Sequence, residues 1–291
     1  MIWFLTVLIK GLSWLVASLP RGLQVFLGRV LGSFWFYVIP IRRATAIENL
    51  HLAFPQWSEG KIRTTALRNF QNYGCGFVEF CLLPHLDEKR FKKLFVVEGR
   101  DILDEAMKKN RGLFFLTLHI GSWELMSATC AALNIPLSVV TKKFKAKSLN
   151  QVWVNLRVGR GIKLIREEKS TFDILRAIRS QQAVGFILDQ FMGPPVGVKT
   201  TFFGVETGTA AGLALFAGRT QAPVVPVYNV RLSDGRIKIV FEPEVQFLEQ
   251  GSIDRNISFM TQRYTSKLEE IITKYPEQWL WIHRRWKPFR Q

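Results

Sequence analysis

The pattern of hydrophobic and polar positions along the chain changes at about residue 95. Before this point the apolar residues form long runs or recur at helical spacing, as they do from Ser58 to Leu83. After it, short runs of β-branched and aromatic residues alternate with helical patterns, which is typical of strands buried in a mostly parallel sheet. The pattern predicts an α/β fold, a mixed central sheet flanked by helices, preceded by an N-terminal hydrophobic membrane-anchoring helix.

The first apolar run extends from Ile2 to Leu19 and has about the length of a bilayer span, roughly 20 residues. A signal peptide is disfavoured because no basic residue precedes the run and no convincing small-residue cleavage site follows it. Lys10 lies in the middle and would cost about 3 kcal/mol at the centre of a bilayer. The run therefore either spans the membrane or lies in its interface. We assign residues 1–20 to a membrane anchor and residues 21–291 to one further domain.

Two later segments combine aromatic residues with arginine, a composition that suits the lipid headgroup layer. The segment Gly22 to Ile41 is rich in Trp, Phe and Tyr and is followed by Arg42 and Arg43. We predict that residues 22–58 associate with the membrane, and a core helix is the equal alternative for the first part. The tail from Trp279 to Arg290 has the same composition and is predicted to form a second membrane-facing patch.

The stretch Leu113 to Leu125 contains the first candidate site. A buried strand ends there at His119, and a helical pattern begins after Ser122, the predicted N-cap, with Glu124 in the first turn. Ligands of α/β sheets bind at the carboxyl ends of the strands. A neutral imidazole there can take a proton from a hydroxyl, and a carboxylate on its other nitrogen would fix the tautomer. The alternative is a histidine that caps the strand and a glutamate that faces water.

Other polar residues follow predicted strands in the same way. Asp189 and Gln190 come directly after the strand Ala183 to Leu188, so their loop should meet that of His119 at one edge of the sheet. Lys142 and Lys143 follow another strand, and they either hold phosphate or sugar-acid groups or belong to a solvated charge run. Small residues predict a helix from Thr207 to about Gly218, and a hairpin is predicted around residues 233–235.

The composition points to an anionic partner. The chain has 291 residues with 40 Lys and Arg against 23 Asp and Glu, a formal charge of +17. Nucleic acid, anionic lipid and an acidic protein are the candidates, and the absence of nucleic-acid-binding motifs together with many charges beside aromatic stretches favours a membrane surface. The three cysteines form no C-x2-C pair and the four histidines are scattered, so we predict no metal site. Without a P-loop or G-x-G-x-x-G we predict no cofactor.

Several motifs together resemble one enzyme family. His119 to Glu124 looks like the H-x4-D/E motif of glycerolipid-type acyltransferases, a short pattern that is weak by itself. Segments in the order of the chain resemble the lipid A biosynthesis acyltransferases, the late lauroyl and myristoyl transferases of Gram-negative bacteria: Arg43 to Pro55, Asp189-Gln190, Phe202 to Gly204, Thr207 to Thr209 and Tyr275 to Lys287. These matches extend over almost the whole chain and are far more specific than the H-x4-E motif.

The resemblance implies a membrane-bound O-acyltransferase of the inner membrane, with its catalytic domain facing the cytoplasm. It would move a fatty acyl chain from acyl carrier protein to a hydroxyl of a lipid A precursor, an anionic glycolipid. His119 would be the general base and Glu124 its orienting, charge-balancing partner, while His283 would be structural because it lies outside the strand-end loops. Substrate-binding roles are predicted for Arg157 (with Arg160 as the runner-up), Asp189, Gln190, Ser122, Lys142 and Lys143.

Two alternatives stay open from the sequence. The acceptor could be another bacterial glycolipid, such as a phosphatidylinositol mannoside, or a lysophospholipid. The protein could also be a non-catalytic membrane-binding protein with a degenerate site, although the intact H-x4-E pair argues against this.

Overall fold

The amino-terminal part of the protein is a layer of helices. The computed structural model describes residues 11–141, 151, 154–155, 158–159, 162–166 and 170–290. Residues 11–18 are helical, and α1 (Arg21–Tyr37), α2 (Arg43–Ala53) and α3 (Glu59–Phe80) follow. The predicted start of α3 is confirmed, because the Ser58 side chain accepts a hydrogen bond from the backbone N–H of Lys61 and caps the helix.

Helices α1 and α3 pack very closely, and glycine makes this possible. Gly28 and Gly32 on α1 face the backbone of α3, and Gly74 on α3 faces Gly28 and Gly32 in return. A Cβ atom at any of these positions would collide with backbone atoms of the partner helix. Small residues four apart allow two helix backbones to approach in this way, a packing that is common between helices in membranes.

The other face of α1 is apolar and uncovered. Val25 and Phe36 are buried against the protein, so the prediction of a core helix is partly right. The opposite face carries a row of exposed side chains, here called the apolar ridge: Leu23, Phe26, Leu27, Val30, Leu31, Phe34 and Tyr37.

Within residues 11–290, as far as they are described, no helix is long and apolar enough to cross a membrane. The predicted transmembrane anchor is thus unsupported, and residues 1–10 of that stretch lie outside the described residues.

A buried carboxylate ties this helical layer to the rest of the fold. Glu79 on α3 is completely buried and forms ion pairs with Arg21 and Arg231. Burial alone would raise the pKa of Glu79, but the two guanidinium groups hold it below its usual range. Arg21 also donates from Nε to the backbone carbonyl of Gly235, 2.8 Å away. These contacts hold α1 and α3 against the hairpin that contains Arg231 and Gly235.

The remaining helices and strands alternate as the sequence predicts. In chain order they are α4 (Glu88–Leu94), β1 (Phe95–Glu98), α5 (Arg100–Lys108), β2 (Leu113–Thr117), α6 (Trp123–Ala132), β3 (Leu137–Thr141), β4 (Lys163–Arg166), α7 (Ser170–Arg179), β5 (Ala183–Ile187), β6 (Gly197–Phe202), β7 (Val205–Ala210), α8 (Gly212–Thr220), β8 (Val224–Arg231), β9 (Ile237–Phe241) and α9 (Ile253–Lys274). The main sheet has the order β1-β9-β8-β2-β5-β3-β4, and only the β8–β9 pair is antiparallel. The predicted mixed sheet with flanking helices is confirmed.

The two faces of this sheet bury different sets of side chains. Along β2, Phe114 and Leu116 point to a face covered by α2, α3, α7, α8, α9 and two tryptophans, here called the tryptophan face. Leu113 and Phe115 point to the opposite face, which is covered by α5 and α6 and is here called the cavity face. Because side chains alternate along a strand, Thr117 also belongs to the cavity face, and it lines the cavity there.

The prediction of a helix from Thr207 is wrong. Residues Val205–Ala210 form strand β7, which pairs with β6 in a separate two-stranded ribbon, and the helix begins only at Gly212. The threonines of β7 explain the difference, because they bind a distant segment. Thr207 donates to the backbone carbonyl of Arg285, 2.9 Å away, and Arg285 Nη2 donates to the hydroxyl of Thr209 at 2.6 Å.

The prediction of a membrane-facing tail is also wrong for its central residues. Trp279, Trp281 and Arg285 are completely buried. Polar side chains of α2 and α3 hold the backbone of this tail, since Asn49 donates to the carbonyl of Trp281 and Asn69 to that of Trp279, both at 2.6 Å. Aromatic and cationic composition alone does not distinguish such an internal segment from a membrane-binding one.

Candidate active site

The register of the sheet brings His119 and Asp189 together. β2 pairs with β5 in parallel with Thr117 opposite Ile187, so the residues two positions later lie side by side. His119 Nδ1 is 2.9 Å from Asp189 Oδ1, and the backbone N–H of His119 donates to Asp189 Oδ2 at 2.8 Å. The two strand-end loops therefore meet at one edge of the sheet, as predicted. The carboxylate on Nδ1 of the imidazole, however, is that of Asp189 and not that of Glu124.

Trp279 completes the surroundings of this carboxylate. Its indole Nε1 donates to Asp189 Oδ2 at 2.8 Å. Trp279 also forms an isolated antiparallel bridge with Ile120, and the N–H of Gly121 donates to the carbonyl of Gln278 at 3.1 Å. The segment Tyr275 to Lys287, one of the family-like motifs, is thus bound directly to the loop that follows His119. The tryptophan was missed as a site residue, and nothing in its local sequence indicates a role beside Asp189.

The electrostatic balance of the pair favours a charged Asp189. Burial alone would raise its pKa, but the charge of His119 and the hydrogen bonds from His119 and Trp279 hold it below its usual range. A carboxylate accepts and does not donate, so the proton between the two groups belongs to Nδ1 of His119. The Nε2 atom of that tautomer is the nitrogen that can accept a proton.

The turn after His119 is shaped by glycine and by Asn229. Gly121 has a φ of +60°, and a Cβ atom there would collide with Asn229. Asn229 Oδ1 accepts from the backbone N–H of Ser122 at 2.7 Å. Ser122 occupies the N-cap position of α6 as predicted, but its side chain makes no capping hydrogen bond. Asn229 is a further residue that was missed, although a buried asparagine inside an apolar strand is a visible signal.

An apolar cavity begins beside this pair on the cavity face. Its floor comes from alternate residues of the strands, among them Thr117, Gly185 and Val227. Residues of α6 and its C-cap cover it: Trp123, Met126, Thr129, Cys130 and Leu133. The ring of Trp123 contacts that of His119 edge-on, with 5.6 Å between ring centroids. An apolar group that enters this cavity beside Trp123 would therefore lie close to His119.

Comparison with known proteins identifies the family. A family model described as bacterial lipid A biosynthesis acyltransferase matches residues 1–288 of the chain. The chain belongs to this family. The lipid A biosynthesis palmitoleoyltransferase of Escherichia coli (strain K12) is 30% identical over 280 residues, which cover 95% of this chain and 89% of that protein.

More distant relatives follow. The lipid A biosynthesis lauroyltransferase of Escherichia coli (strain K12) is 26% identical over 289 residues, covering 98% of this chain and 92% of the relative. A phosphatidylinositol mannoside acyltransferase of Mycobacterium tuberculosis (strain ATCC 25618 / H37Rv) is 22% identical over 224 residues, covering 75% of this chain and 69% of the relative. The protein is an acyltransferase, and its family acts in lipid A biosynthesis.

Two further residues of this acyltransferase lie near the pair. Gln190 follows Asp189 directly and is exposed. His283 is half-buried, and its Nε2 accepts from the backbone N–H of Phe191 at 3.4 Å, in the loop after β5. His283 thus contacts a strand-end loop although it lies outside these loops in the sequence, and its predicted structural role stays a prediction. Burial lowers the pKa of His283, which suits its role as an acceptor.

The remaining predicted residues differ in how far the structure places them. Glu124 is half-buried in the first turn of α6, and its catalytic role stays a prediction. Arg157, Arg160, Lys142 and Lys143 lie outside the described residues. Across the part of the chain that the structure covers, no group of three or more His, Cys, Asp or Glu side chains is arranged to hold a metal ion.

Proposed function

We propose that this acyltransferase moves a fatty acyl chain from the thioester of an acyl carrier protein to a hydroxyl of a lipid A precursor, most specifically the 3-hydroxyl of an already attached acyl chain. One observation carries the proposal: the His119–Asp189 pair lies beside an apolar cavity, whose wall includes Trp123, a ring in contact with His119. Such an arrangement fits a reaction between an acyl group and a hydroxyl without a nucleophilic Ser or Cys.

In the proposed mechanism, Nε2 of His119 accepts the proton of the acceptor hydroxyl while its oxygen attacks the thioester carbonyl carbon. Asp189 stabilises the imidazolium that forms, as in other carboxylate–histidine pairs. The tetrahedral intermediate then releases the thiolate, which takes the proton from the imidazolium. Glu124, in the first turn of α6, is proposed to balance the charge of the imidazolium.

The charge of the protein supports this choice of partners. The formal net charge is +17, and both an acyl carrier protein and a phosphorylated glycolipid are acidic. Opposite net charges accelerate association and raise the local concentration of the partner. Substrate-binding roles for Gln190, Ser122, Arg157, Lys142 and Lys143 remain part of the proposal.

We propose that the protein works at the cytoplasmic side of the bacterial inner membrane and contacts it through the apolar ridge of α1. The ridge is a contiguous row of large apolar side chains, and rows of this kind mark sites of interaction. Arg29 is exposed on this helix and Arg42 is exposed just before α2, where both can contact anionic lipid headgroups. A helix with an apolar face and exposed arginines nearby suits the interface of a bilayer.

Replacing His119 with Ala tests the mechanism. We expect a loss of at least about 10²-fold in the rate of acyl transfer, the lower range for a general base. The matched control is His51→Ala, since His51 is a partly exposed histidine that pairs with Glu59 on the protein surface. Circular dichroism and vesicle sedimentation would verify that both variants fold and bind membranes. A His119→Ala variant with near-normal turnover would disprove the assigned base.

Mass spectrometry of lipid A from cells with and without the gene tests the substrate. Loss of one secondary acyl chain would support the proposed acceptor and give the chain length. If lipid A is unchanged and another glycolipid is altered, the acceptor is that glycolipid. The phosphatidylinositol mannoside acyltransferase among the relatives is named for such an acceptor. No lipid change in cells that lack related acyltransferases would contradict the proposed reaction.

A further inference from the structure

Thr117 carries a buried hydroxyl group that the proposed mechanism does not yet use. It is the last residue of β2 and lies two positions before His119. Its Oγ1 atom is buried and has no hydrogen-bond partner among the described residues. The side chain lines the apolar cavity and is only 5% exposed.

The neighbours of Thr117 make this hydroxyl unusual. Thr117 pairs with Ile187 on β5, and continuing the β2–β8 register places Val227 on its other side. The residues beside Thr117 on the two neighbouring strands are therefore both apolar and cannot form a hydrogen bond with its hydroxyl through their side chains. A buried polar group without a partner destabilises a fold, and valine has nearly the same shape without that cost. Packing alone therefore gives no reason for threonine at this position.

A second threonine in the same cavity provides a comparison. Thr129 on α6 also lines the cavity, but its hydroxyl donates to the backbone carbonyl of Met126 at 2.7 Å. Its hydrogen-bonding need is met within the helix. The hydroxyl of Thr117 therefore differs in lacking a protein partner within the described structure. Thr117 also lies only two residues before the base, so the two Cα atoms are at most about 7 Å apart.

We propose that the Thr117 hydroxyl donates a hydrogen bond to the carbonyl oxygen of the acyl thioester and stabilises the oxyanion that forms on it. This inference rests on the proposed function. An acyl thioester bound beside this cavity brings its carbonyl oxygen close to the base. That oxygen is the atom on which charge develops during the reaction.

The step balances with the groups named. The acceptor oxygen forms a bond to the carbonyl carbon, its proton passes to Nε2 of His119, and the π electron pair moves onto the carbonyl oxygen beside Thr117. When the carbonyl re-forms, the carbon–sulfur bond breaks and the thiolate leaves with the proton from the imidazolium. Thr117 donates a hydrogen bond throughout and keeps its own proton.

The test compares Thr117→Val with Thr117→Ser in the full-length protein, with an acyl carrier protein thioester and a lipid A precursor as substrates. We expect Thr117→Val to lower kcat by about 10²-fold, the effect of losing one oxyanion donor, with little change in KM. Thr117→Ser keeps the hydroxyl and should stay within about 5-fold of the wild type. The melting temperature of Thr117→Val should equal or exceed that of the wild type, because an unpaired polar group is removed.

The matched control is Thr265→Val. Thr265 is a buried threonine on α9 whose hydroxyl donates to the carbonyl of Thr261 at 2.7 Å, and its loss should leave kcat unchanged. Wild-type turnover in Thr117→Val would overturn the role of Thr117. An equal loss in Thr117→Val and Thr117→Ser, together with a lower melting temperature, would also overturn it and indicate a structural role.

Failure of the proposed function gives a different result. If the wild type does not acylate the lipid A precursor but hydrolyses the thioester slowly, the acceptor is wrong and the same variants are compared on hydrolysis, which forms the same oxyanion. If the wild type does neither, the thioester donor is wrong and the role of Thr117 fails with it.

Discussion

On the tryptophan face of the sheet the space is filled, whereas on the cavity face an apolar cavity remains beside the same strands. The filled face contains completely buried aromatic side chains, among them Trp279, Trp281 and Phe114. The open face is lined by smaller or flexible groups such as Gly185, Cys130 and Met126. Both faces meet at the strand ends that carry His119 and Asp189. One face therefore fixes the geometry of the pair, and the other leaves an apolar cavity next to it.

The difference has a physical basis. Close packing around Trp279 fixes the orientation of the Asp189 side chain. Three N–H groups donate hydrogen bonds to its two carboxylate oxygens. A catalytic pair must be held within a fraction of an ångström, and a packed, hydrogen-bonded surrounding achieves this. An acyl chain needs shape and apolar contact more than fixed polar partners, so the cavity face can vary without disturbing the pair.

The largest effect is expected from Asp189→Asn. An amide can donate to Nδ1 of His119, which would place the ring proton on Nε2 and remove the base. The same change in a Ser-His-Asp triad costs about 10⁴-fold, and we expect a loss of at least about 10³-fold in kcat here. Asp173→Asn on α7, a partly exposed carboxylate paired with Arg176, is the control and should keep normal turnover. Turnover of Asp189→Asn within 10-fold of the wild type would contradict the role of the pair.

The same variant should change how stability depends on pH. The pKa of Asp189 in the folded protein lies below its unfolded value of about 4, so its ionised form stabilises the fold above that pH. This contribution is lost as the pH falls through the folded pKa. Urea unfolding of wild type and Asp189→Asn should therefore show a difference in unfolding free energy that shrinks from about pH 7 to about pH 3. A constant difference over this range would mean that the pKa of Asp189 is not lowered by folding.

Trp279→Phe is expected to have a smaller effect on kcat and on the unfolding free energy. The change removes the indole donor to Asp189 and leaves a partly filled site, so we expect a loss of about 1–3 kcal/mol in unfolding free energy. We also expect kcat to fall about 10-fold, because Asp189 loses one of its restraints. Trp281→Phe is the matched control, since its indole donates to the carbonyl of Pro276 and not to Asp189. It should lose similar stability but keep kcat, and equal kcat losses in both would argue against a specific role of Trp279.

The smallest effect is expected on the cavity face, from Gly185→Ala. A Cβ atom at Gly185 would lie 3.8 Å from side-chain atoms of Leu137 and Val139, so the methyl group fits without strain and occupies cavity space. Losing room for one methylene costs about 0.8 kcal/mol, which corresponds to a shift of about 4-fold in kcat/KM toward a shorter acyl chain. Gly60→Ala on the exposed start of α3 is the control. An unchanged chain-length preference would show that the acyl chain does not reach Gly185.

The sequence by itself determined the class of fold and the edge of the sheet where the site lies. Apolar runs that end at His119 and before Asp189 predict two strands with polar residues at their carboxyl ends, because the pleat of a strand and the turn of a helix leave local patterns. The motif series predicted the family for the same reason, since each motif is contiguous in the chain.

Only the tertiary structure decided which groups touch. Asp189 and not Glu124 holds Nδ1 of His119, although 70 positions separate the two partners in the chain. The register of β2 against β5 sets this contact, and no local pattern encodes the register between distant strands. Trp279 was predicted to face a membrane and lies buried beside Asp189, because composition describes a side chain and not the surface that covers it. Thr207 and Thr209 lie in strand β7, although a helix was predicted there. Their hydroxyls form hydrogen bonds with Arg285, which lies far away in the sequence.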